Sequence, residues 1–211
     1  MTCTGNRKKV GILGGTFDPI HIGHLMLAEN ARQICGLDKV LIMPSGCSYF
    51  KDPAKVTDTK HRVAMTELAI RSNDKFELST IESDRSGNSY TYETLEELCK
   101  LNPDTRYYYI IGADTLFSIE TWRKPEEIFN KCTIVCACRD SHTPDELKSK
   151  ADDLKRRYDA DITITDVPEV PVSSTMVRQL LSKGLNCRYY LDDKVIEYIK
   201  SNGLYGCSET K

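Results

Sequence analysis

A chain of 211 residues has room for one α/β domain, or one domain with a small appendage, but not for a second catalytic domain. Hydrophobic residues make up 40% and charged residues 28% of the chain, a composition typical of a globular protein that argues against disorder. A formal net charge of -2 argues against long-range capture of a nucleic acid or an anionic membrane, so an anionic ligand must meet a local site.

The N-terminus and the cysteines favour a cytoplasmic protein. The basic segment MTCTGNRKKV is followed by GILGGTFDPI, without the apolar run of a signal peptide, and no stretch is long and apolar enough to span a bilayer. Nine cysteines, spread from Cys3 to Cys207, fit free thiols better than a disulfide framework. The segment CTIVCAC, with Cys132, Cys136 and Cys138, lacks paired CxxC spacings, which favours buried strand cysteines over a zinc site.

Short β-branched runs alternate with amphipathic helical stretches along the chain. In chain order we predict strand KKVGILG, helix LMLAENARQI, strand VLIMP, helix HRVAMTELAI, strand FELSTIE, helix TLEELCKL, strand RYYYIIG, strand CTIVCAC, helix DELKSKADDLKRRY, strand ITITDV, and helices STMVRQLLSKG and DDKVIEYIKSNG. This alternation predicts an α/β fold, a Rossmann-like, doubly wound and mostly parallel sheet with helices on both faces. We expect a single domain over residues 1–211, with a helical C-terminal portion at about 173–205, and ligands beyond the carboxyl ends of the strands.

The segment GGTFDPIHIGHL, between the first strand and the first helix, has the features of an anion site. Gly14 and Gly15 lack side chains, so backbone amides there can approach an anion at the positive end of the helix dipole. His21 and His24 are three residues apart, which on a first helical turn places both rings on one face. Taken singly, a glycine turn or a histidine pair is more often structural or half of a metal site, but the ordered string argues against chance.

The segment VSSTMVRQLL predicts a second phosphate-binding helix end. Ser173 or Ser174 is placed to cap the helix, and Ser174, Thr175 and Arg178 are spaced so that hydroxyls and a guanidinium converge at the N-terminus. The planar guanidinium fork matches phosphate oxygens. The alternative is a simple N-cap followed by a solvated surface arginine.

These two elements carry a resemblance to a known family. GGTFDPIHIGHL resembles the T/HxGH signature of the nucleotidyltransferase superfamily, which binds the phosphates of a nucleoside triphosphate, and VSSTMVR is similar to its ISSTxxR element. The first string resembles the bacterial nicotinate-nucleotide adenylyltransferases in particular, as do KHRVAMTELAI, SYTYETLEEL, YIIGADTLFSIETWRKPEEI and VIEYIKSNGLY, so that the resemblance covers nearly the whole chain. It implies an enzyme of NAD biosynthesis that transfers AMP from ATP to nicotinic acid mononucleotide, giving nicotinic acid adenine dinucleotide and pyrophosphate.

The resemblance also implies a set of site residues. His21, His24 and Arg178 are the expected catalytic residues. The expected ATP-binding residues are Gly14, Gly15, Thr16, Phe17, His21, His24, Gly112, Asp114, Ser174, Thr175 and Arg178. The expected mononucleotide-binding residues are Lys51, Thr91, Trp122 and Arg139.

Four of these positions have an argument or a departure of their own. Trp122, the only tryptophan, follows a strand-end loop and can stack on a pyridine ring, although a core or surface role is the alternative. Asp114 can accept hydrogen bonds from ribose hydroxyls or cap the next helix. Thr91 is similar to the position that holds the nicotinate carboxylate, or is a strand threonine. Lys51 resembles the lysine that meets the mononucleotide phosphate, but relatives often carry Pro-Pro-His before it and this chain has SYF.

The expected mechanism is direct in-line transfer, in which positioning and charge stabilisation replace covalent catalysis. Arg178, Ser174 and Thr175 hold the β- and γ-phosphates, while His21 and His24 stabilise the α-phosphate. Mg²⁺ bound to the triphosphate is implied by substrate and family, and no protein metal site is predicted. The alternatives are the same chemistry on nicotinamide mononucleotide or phosphopantetheine, or a non-catalytic nucleotide-binding module. The sequence leaves a homo-oligomer open.

Overall fold

The computed structural model describes residues 7–46, 56–138, 142–168 and 170–207. Along them lie strands β1 (Lys8–Gly15), β2 (Lys39–Pro44), β3 (Phe76–Leu78), β4 (Thr105–Gly112), β5 (Cys132–Cys138) and β6 (Ile162–Asp166). The helices are α1 (Ile22–Cys35), α2 (Thr59–Ile70), α3 (Thr91–Leu101), α4 (Ala113–Ser118), α5 (Pro125–Lys131), α6 (Pro144–Tyr158), α7 (Ser174–Ser182) and α8 (Asp193–Ser201). Short 3₁₀ turns follow at Ile119–Thr121 and Leu204–Gly206.

The six strands form one parallel sheet in the order β3-β2-β1-β4-β5-β6. The register pairs Val10 with Tyr107, Tyr109 with Ile134, and Ile134 with Ile162. This strand order is that of two βαβαβ halves wound in opposite directions from β1. The predicted Rossmann-like, doubly wound α/β fold is therefore confirmed.

The observed elements differ from the prediction at several boundaries, including that of α1, which begins at Ile22, three residues before the predicted LMLAENARQI. The predicted strand FELSTIE is a strand only at Phe76–Leu78. Helix α3 begins at Thr91, three residues before the predicted TLEELCKL. Helices α4 and α5, of 6 and 7 residues, were not predicted because they are too short to show a helical period.

The chain is organised as two compact units, each built from three segments. The first unit comprises the described parts of Met1–Leu13, Ala28–Leu41 and Ser89–Pro168, and the second those of Gly14–Leu27, Ile42–Asn88 and Glu169–Lys211. The core of the first unit includes the fully buried Ile12, Ile110, Ile134, Val135, Leu147 and Leu154. The core of the second includes Ile20, Ile42, Met43, Met65, Val177, Val195 and Ile199. The expectation of a single domain stays a prediction.

The cysteines of the described residues are free thiols: Cys35, Cys99, Cys132, Cys136, Cys138, Cys187 and Cys207. In β5, Cys132 and Cys136 are buried as predicted, whereas Cys138 at the strand end is half-buried. Burial raises the pKa of the Cys136 thiol to about 12 and that of Cys132 further, so neither forms an appreciable amount of thiolate at neutral pH. Within the described ranges, no helix has the length and hydropathy needed to cross a membrane.

Candidate functional site

The loop between β1 and α1, residues 16–21, lies in the second unit and is called the first loop below. A Cβ placed on Gly15 would lie 2.6 Å from the ring of Phe17, so only glycine fits at the end of β1. Phe17 itself has φ 48° and is 2% exposed. The Gly15 position thus makes room for a buried phenylalanine, and Phe17 has only its backbone to offer a ligand.

The two histidines of the first loop and α1 stack on each other. Their ring centroids are 3.7 Å apart with an interplanar angle of 25°. His21 is 6% exposed and directly precedes the first residue of α1. The two rings therefore meet as predicted, but only His24 belongs to the helix. A Cβ on the intervening Gly23 would lie 2.9 Å from Val172 Cγ1 and 3.2 Å from His21 Nδ1, which explains the glycine at this position.

A hydrogen bond fixes the tautomer of His24. The backbone N–H of His21 donates to His24 Nδ1 over 3.2 Å, so Nδ1 acts as an acceptor and carries no proton. In the neutral ring the proton is therefore on Nε2. His24 Nε2 is thereby set up as a hydrogen-bond donor, which is the form that can bind an anionic oxygen.

The N-terminus of α7 contacts the first loop directly. The hydroxyl of Ser173 accepts from the backbone N–H of Met176 over 3.2 Å, so Ser173 is the N-cap. Ser174 is thereby left to make a different contact, and its Oγ donates to the backbone carbonyl of Pro19 over 2.9 Å. The sequence left the choice of cap open, and the structure assigns it to Ser173.

Arg178 completes this junction. Its Nη1 donates to the backbone carbonyl of Asp18 over 2.7 Å, and its Nη2 donates to Thr175 Oγ1 over 3.3 Å. The structure therefore places the two predicted phosphate elements side by side in the second unit, with Arg178 half-buried between Thr175 and the first loop.

Two buried polar residues that the sequence did not single out support the first loop. Asp18 is 5% exposed, and its carboxylate accepts from the Tyr205 hydroxyl over 2.6 Å and from the Thr57 backbone N–H over 3.3 Å. Arg62 is 1% exposed and donates to the backbone carbonyls of Thr16 and Thr57 at 2.7 and 2.9 Å. Both residues lie inside strings quoted for the family resemblance, DPI and KHRVAM, which was the available signal.

Arg62→Lys is expected to lower the thermal unfolding midpoint by about 5 °C, because lost bonds to a charged donor cost about 2 kcal/mol. The guanidinium also reaches the Gly46 carbonyl and Thr59 Oγ1, and one ammonium group cannot serve acceptors in so many directions. Calorimetry measures the unfolding midpoint of Arg62→Lys. Arg71→Lys, at the exposed end of the same helix, is the control and should keep the midpoint of the parent. Equal midpoints for the two variants would contradict a structural role for Arg62.

The remaining described site residues lie in the first unit. Gly112 is the N-cap residue of α4 and makes no side-chain cap bond, so Asp114, in the first turn, does not cap that helix. The Asp114 side chain is 83% exposed and lies 3.4 Å from Nε2 of His142. The His142 ring stacks on Phe117 at 4.1 Å between centroids. An exposed carboxylate thus stands just beyond the carboxyl end of β4, where a doubly wound sheet binds ligands.

Trp122 and Thr91 complete the set within the first unit. Trp122 is half-buried and contacts Tyr109 edge-on at 6.0 Å, so it is neither a core nor a fully exposed residue. Thr91 is the first residue of α3, which makes the alternative of a strand threonine wrong. Lys51 and Arg139 lie outside the described residues.

The turn that precedes Trp122 is fixed by ion pairs. Glu120, two residues earlier, accepts from Lys150, from Arg157 over 2.6 Å and from the Tyr158 hydroxyl over 3.2 Å, all on α6. Lys150, followed by Arg157, holds the pKa of Glu120 below its usual value.

No group of three or more His, Cys, Asp or Glu side chains that could hold a metal is found in the parts of the chain that the structure describes.

Known proteins resemble this chain in sequence over most of its length. The model of the cytidylyltransferase-like family matches residues 12–180. The chain is 42% identical to the probable nicotinate-nucleotide adenylyltransferase of Lachnoclostridium phytofermentans, over 94% of this chain and 99% of the relative. It is 42% identical to the corresponding protein of Lactococcus lactis, over 95% and 97%.

The fold is also that of a solved structure. Plasmodium falciparum nicotinic acid mononucleotide adenylyltransferase complexed with NaAD superposes with a TM-score of 0.78 at 22% identity, covering 95% of this chain and 98% of that one. The sequence relatives share nearly the full length of the chain, which extends the family beyond the two short elements. The chain therefore belongs to the cytidylyltransferase-like family, in the branch of the probable nicotinate-nucleotide adenylyltransferases.

Proposed function

We propose that this protein transfers AMP from ATP to nicotinic acid mononucleotide and releases pyrophosphate, as the names of its relatives state for them. The observation that carries the proposal is the junction in the second unit. There the rings of His21 and His24 stack on each other. Arg178 and Ser174 donate hydrogen bonds to the Asp18 and Pro19 carbonyls of the same first loop. The N-terminal ends of α1 and α7, where backbone N–H groups favour an anion, thus lie at one junction, which supports polyphosphate binding.

In this mechanism a phosphate oxygen of the mononucleotide attacks the α-phosphorus of ATP. The new P–O bond forms as the bond to the β-phosphate oxygen breaks, and pyrophosphate leaves on the opposite side. His24 donates its Nε2–H to an α-phosphate oxygen, where negative charge concentrates during transfer, and His21 stacks behind it. Arg178 and the Thr175 hydroxyl bind the β- and γ-phosphates at the positive end of α7, and Ser174, whose hydroxyl donates to Pro19, contributes its backbone N–H.

The mononucleotide and adenosine roles are proposed for residues of the first unit. Trp122 stacks on the pyridine ring with its exposed face. Thr91 begins α3, so its backbone N–H and hydroxyl belong to a helix N-terminus that favours a carboxylate. Asp114 accepts hydrogen bonds from the ribose hydroxyls of ATP beside Gly112. Lys51 and Arg139 are proposed, on resemblance alone, to meet the mononucleotide.

Magnesium is proposed to arrive with ATP. Mg²⁺ prefers oxygen ligands, and it neutralises charge on the triphosphate when bound. The carboxylate of the first loop, Asp18, already accepts bonds from Tyr205 and Thr57, so the triphosphate oxygens are the better ligands. We also propose a cytoplasmic location, which the seven free cysteines of the described residues support.

The decisive assay is pyrophosphate release from ATP and magnesium with one acceptor at a time. Nicotinic acid mononucleotide should support turnover, whereas nicotinamide mononucleotide should support much less and phosphopantetheine none. Omission of the acceptor and chelation of magnesium are the controls. Binding of ATP without turnover on any acceptor would favour the non-catalytic alternative instead.

Arg178→Lys should raise the KM for ATP about tenfold, because a lysine keeps the charge but loses the planar fork that holds two phosphate oxygens. Steady-state kinetics with ATP as the varied substrate measure the effect. Arg188→Lys is the matched control, since Arg188 is an exposed arginine of the same unit that pairs with Asp193. An Arg178→Lys variant with the ATP kinetics of the parent would remove Arg178 from triphosphate binding.

A further inference from the structure

The closing segment VIEYIKSNGLY has no role in the mechanism above, although it belongs to the family resemblance. In the structure it spans most of α8 and the first two residues of the following C-terminal turn, Leu204–Gly206, both in the second unit. The side chain of Tyr205 in this turn contacts the first loop across 187 positions of sequence. The closing segment therefore bears directly on the position of the first loop.

Tyr205 adopts an uncommon backbone conformation to reach the loop. Its φ and ψ are 57° and 26°, in the left-handed region that is rare for a non-glycine residue. Gly203 and Gly206 on either side also have positive φ, at 58° and 78°. A residue is held in such a conformation only when its surroundings fix it, and such positions concentrate where a side chain has a task.

The fixing contact is a hydrogen bond to a carboxylate. The Tyr205 hydroxyl donates to Asp18 Oδ1 over 2.6 Å, while the other Asp18 oxygen accepts from the backbone N–H of Thr57. Burial, followed by the bond to Asp18, raises the pKa of Tyr205, so the phenol stays protonated and remains the donor at any physiological pH. Bonds of this kind, to a charged acceptor, are stronger than neutral ones.

Asp18 is also the residue through which the triphosphate element is attached. Its backbone carbonyl accepts from Arg178 Nη1 over 2.7 Å, and the carbonyl of the next residue, Pro19, accepts from Ser174 Oγ over 2.9 Å. The side chain and the carbonyl of one residue thus take bonds from Tyr205 and Arg178. A shift of Asp18 would move the acceptor that sets the direction of the Arg178 fork.

We propose that Tyr205 is a positioning residue for ATP: through Asp18 it fixes the first loop in the geometry that aims Arg178 at the triphosphate. The inference rests on the proposed function for the triphosphate role of Arg178. It assigns to Tyr205 no contact with substrate. If Tyr205 acts in this way, the affinity of the protein for ATP depends on the Tyr205 hydroxyl in the C-terminal turn.

The test is the binding of ATP with magnesium to the full-length Tyr205→Phe variant, measured by titration calorimetry without any acceptor. We expect the Kd for ATP to rise about five- to tenfold, because the loop loses one bond to a charged group but keeps those from Thr57 and Arg178. Tyr198→Phe is the matched control. It removes a hydroxyl from the same closing segment, where Tyr198 contacts His61 Nδ1 at 2.9 Å, and should leave the Kd within about twofold of the parent.

A second variant separates positioning from general loosening. Asp18→Asn keeps the shape of the side chain but weakens the bond from Tyr205. If Tyr205→Phe and Asp18→Asn both act through that bond, the variant that carries both changes should bind ATP no more weakly than the single variant with the higher Kd. Unchanged ATP binding by Tyr205→Phe, equal weakening by Tyr198→Phe, or fully multiplicative effects in the double variant would each overturn the inference. Because no acceptor is present, failure of the proposed acceptor would leave this result untouched.

Discussion

Replacing His24 with alanine is expected to lower kcat by about two to three orders of magnitude, the cost of removing one preorganised donor to a developing charge. The donor is defined by geometry: the His21 backbone N–H occupies Nδ1 of His24 and leaves the proton on Nε2. The KM for ATP should change much less than kcat, because the charge on the α-phosphate oxygens is greatest in the transition state.

Steady-state kinetics on the folded variant decide this prediction. His61→Ala is the matched control, since it removes a histidine of the same unit whose ring contacts Tyr198 rather than the first loop. Its turnover should stay close to that of the parent. Near-normal turnover of His24→Ala would take His24 out of the mechanism, and an equal loss in both variants would indicate a general effect of removing an imidazole.

The second large effect expected is discrimination between acceptors. A carboxylate held at the N-terminus of α3 gains charge-assisted bonds that the corresponding amide does not. A polar site left badly paired by the wrong substrate discriminates more strongly than the roughly 10–200-fold available from one methylene group. We therefore expect kcat/KM for the acid mononucleotide to exceed that for the amide by more than this range.

Trp122→Ala separates ring recognition from acid recognition. Stacking reads the ring, so the variant should lose efficiency with both mononucleotides to a similar extent while the KM for ATP stays nearly unchanged. Trp122→Phe, which keeps an aromatic face, should recover much of the loss. A parent enzyme that used acid and amide equally would overturn the acceptor proposed here and leave the adenylyl transfer standing.

The fold was predictable because its signals are local. Parallel strands buried on both faces, such as RYYYIIG, are continuous apolar runs, and the long helices show their period. Periodicity gave no signal for α4 and α5, which are too short, and it overextended β3, where only Phe76–Leu78 pair with the sheet.

The site was predictable only in part. The histidine and Ser-Thr-Arg elements are contiguous strings, so they were found, and the structure joins them. The residues that support them are scattered: Arg62 and Tyr205 reach the first loop from 46 and 187 positions away. A buried polar residue also looks like a surface residue in a sequence, since its partners, mostly backbone carbonyls, leave no pattern. The ion pairs of Glu120 with α6 were missed because their partners, Lys150 and Arg157, lie 30 or more positions away in the chain.

The single tryptophan of the chain gives the first unit an intrinsic fluorescence signal. Trp122 is half-buried, edge-on to Tyr109, and directly follows a turn that Glu120 pins to α6. Its indole emission therefore comes from one defined environment, and a pyridine ring stacked on it would quench that emission. Mononucleotide occupancy could then be followed in real time without a label, and separately from ATP.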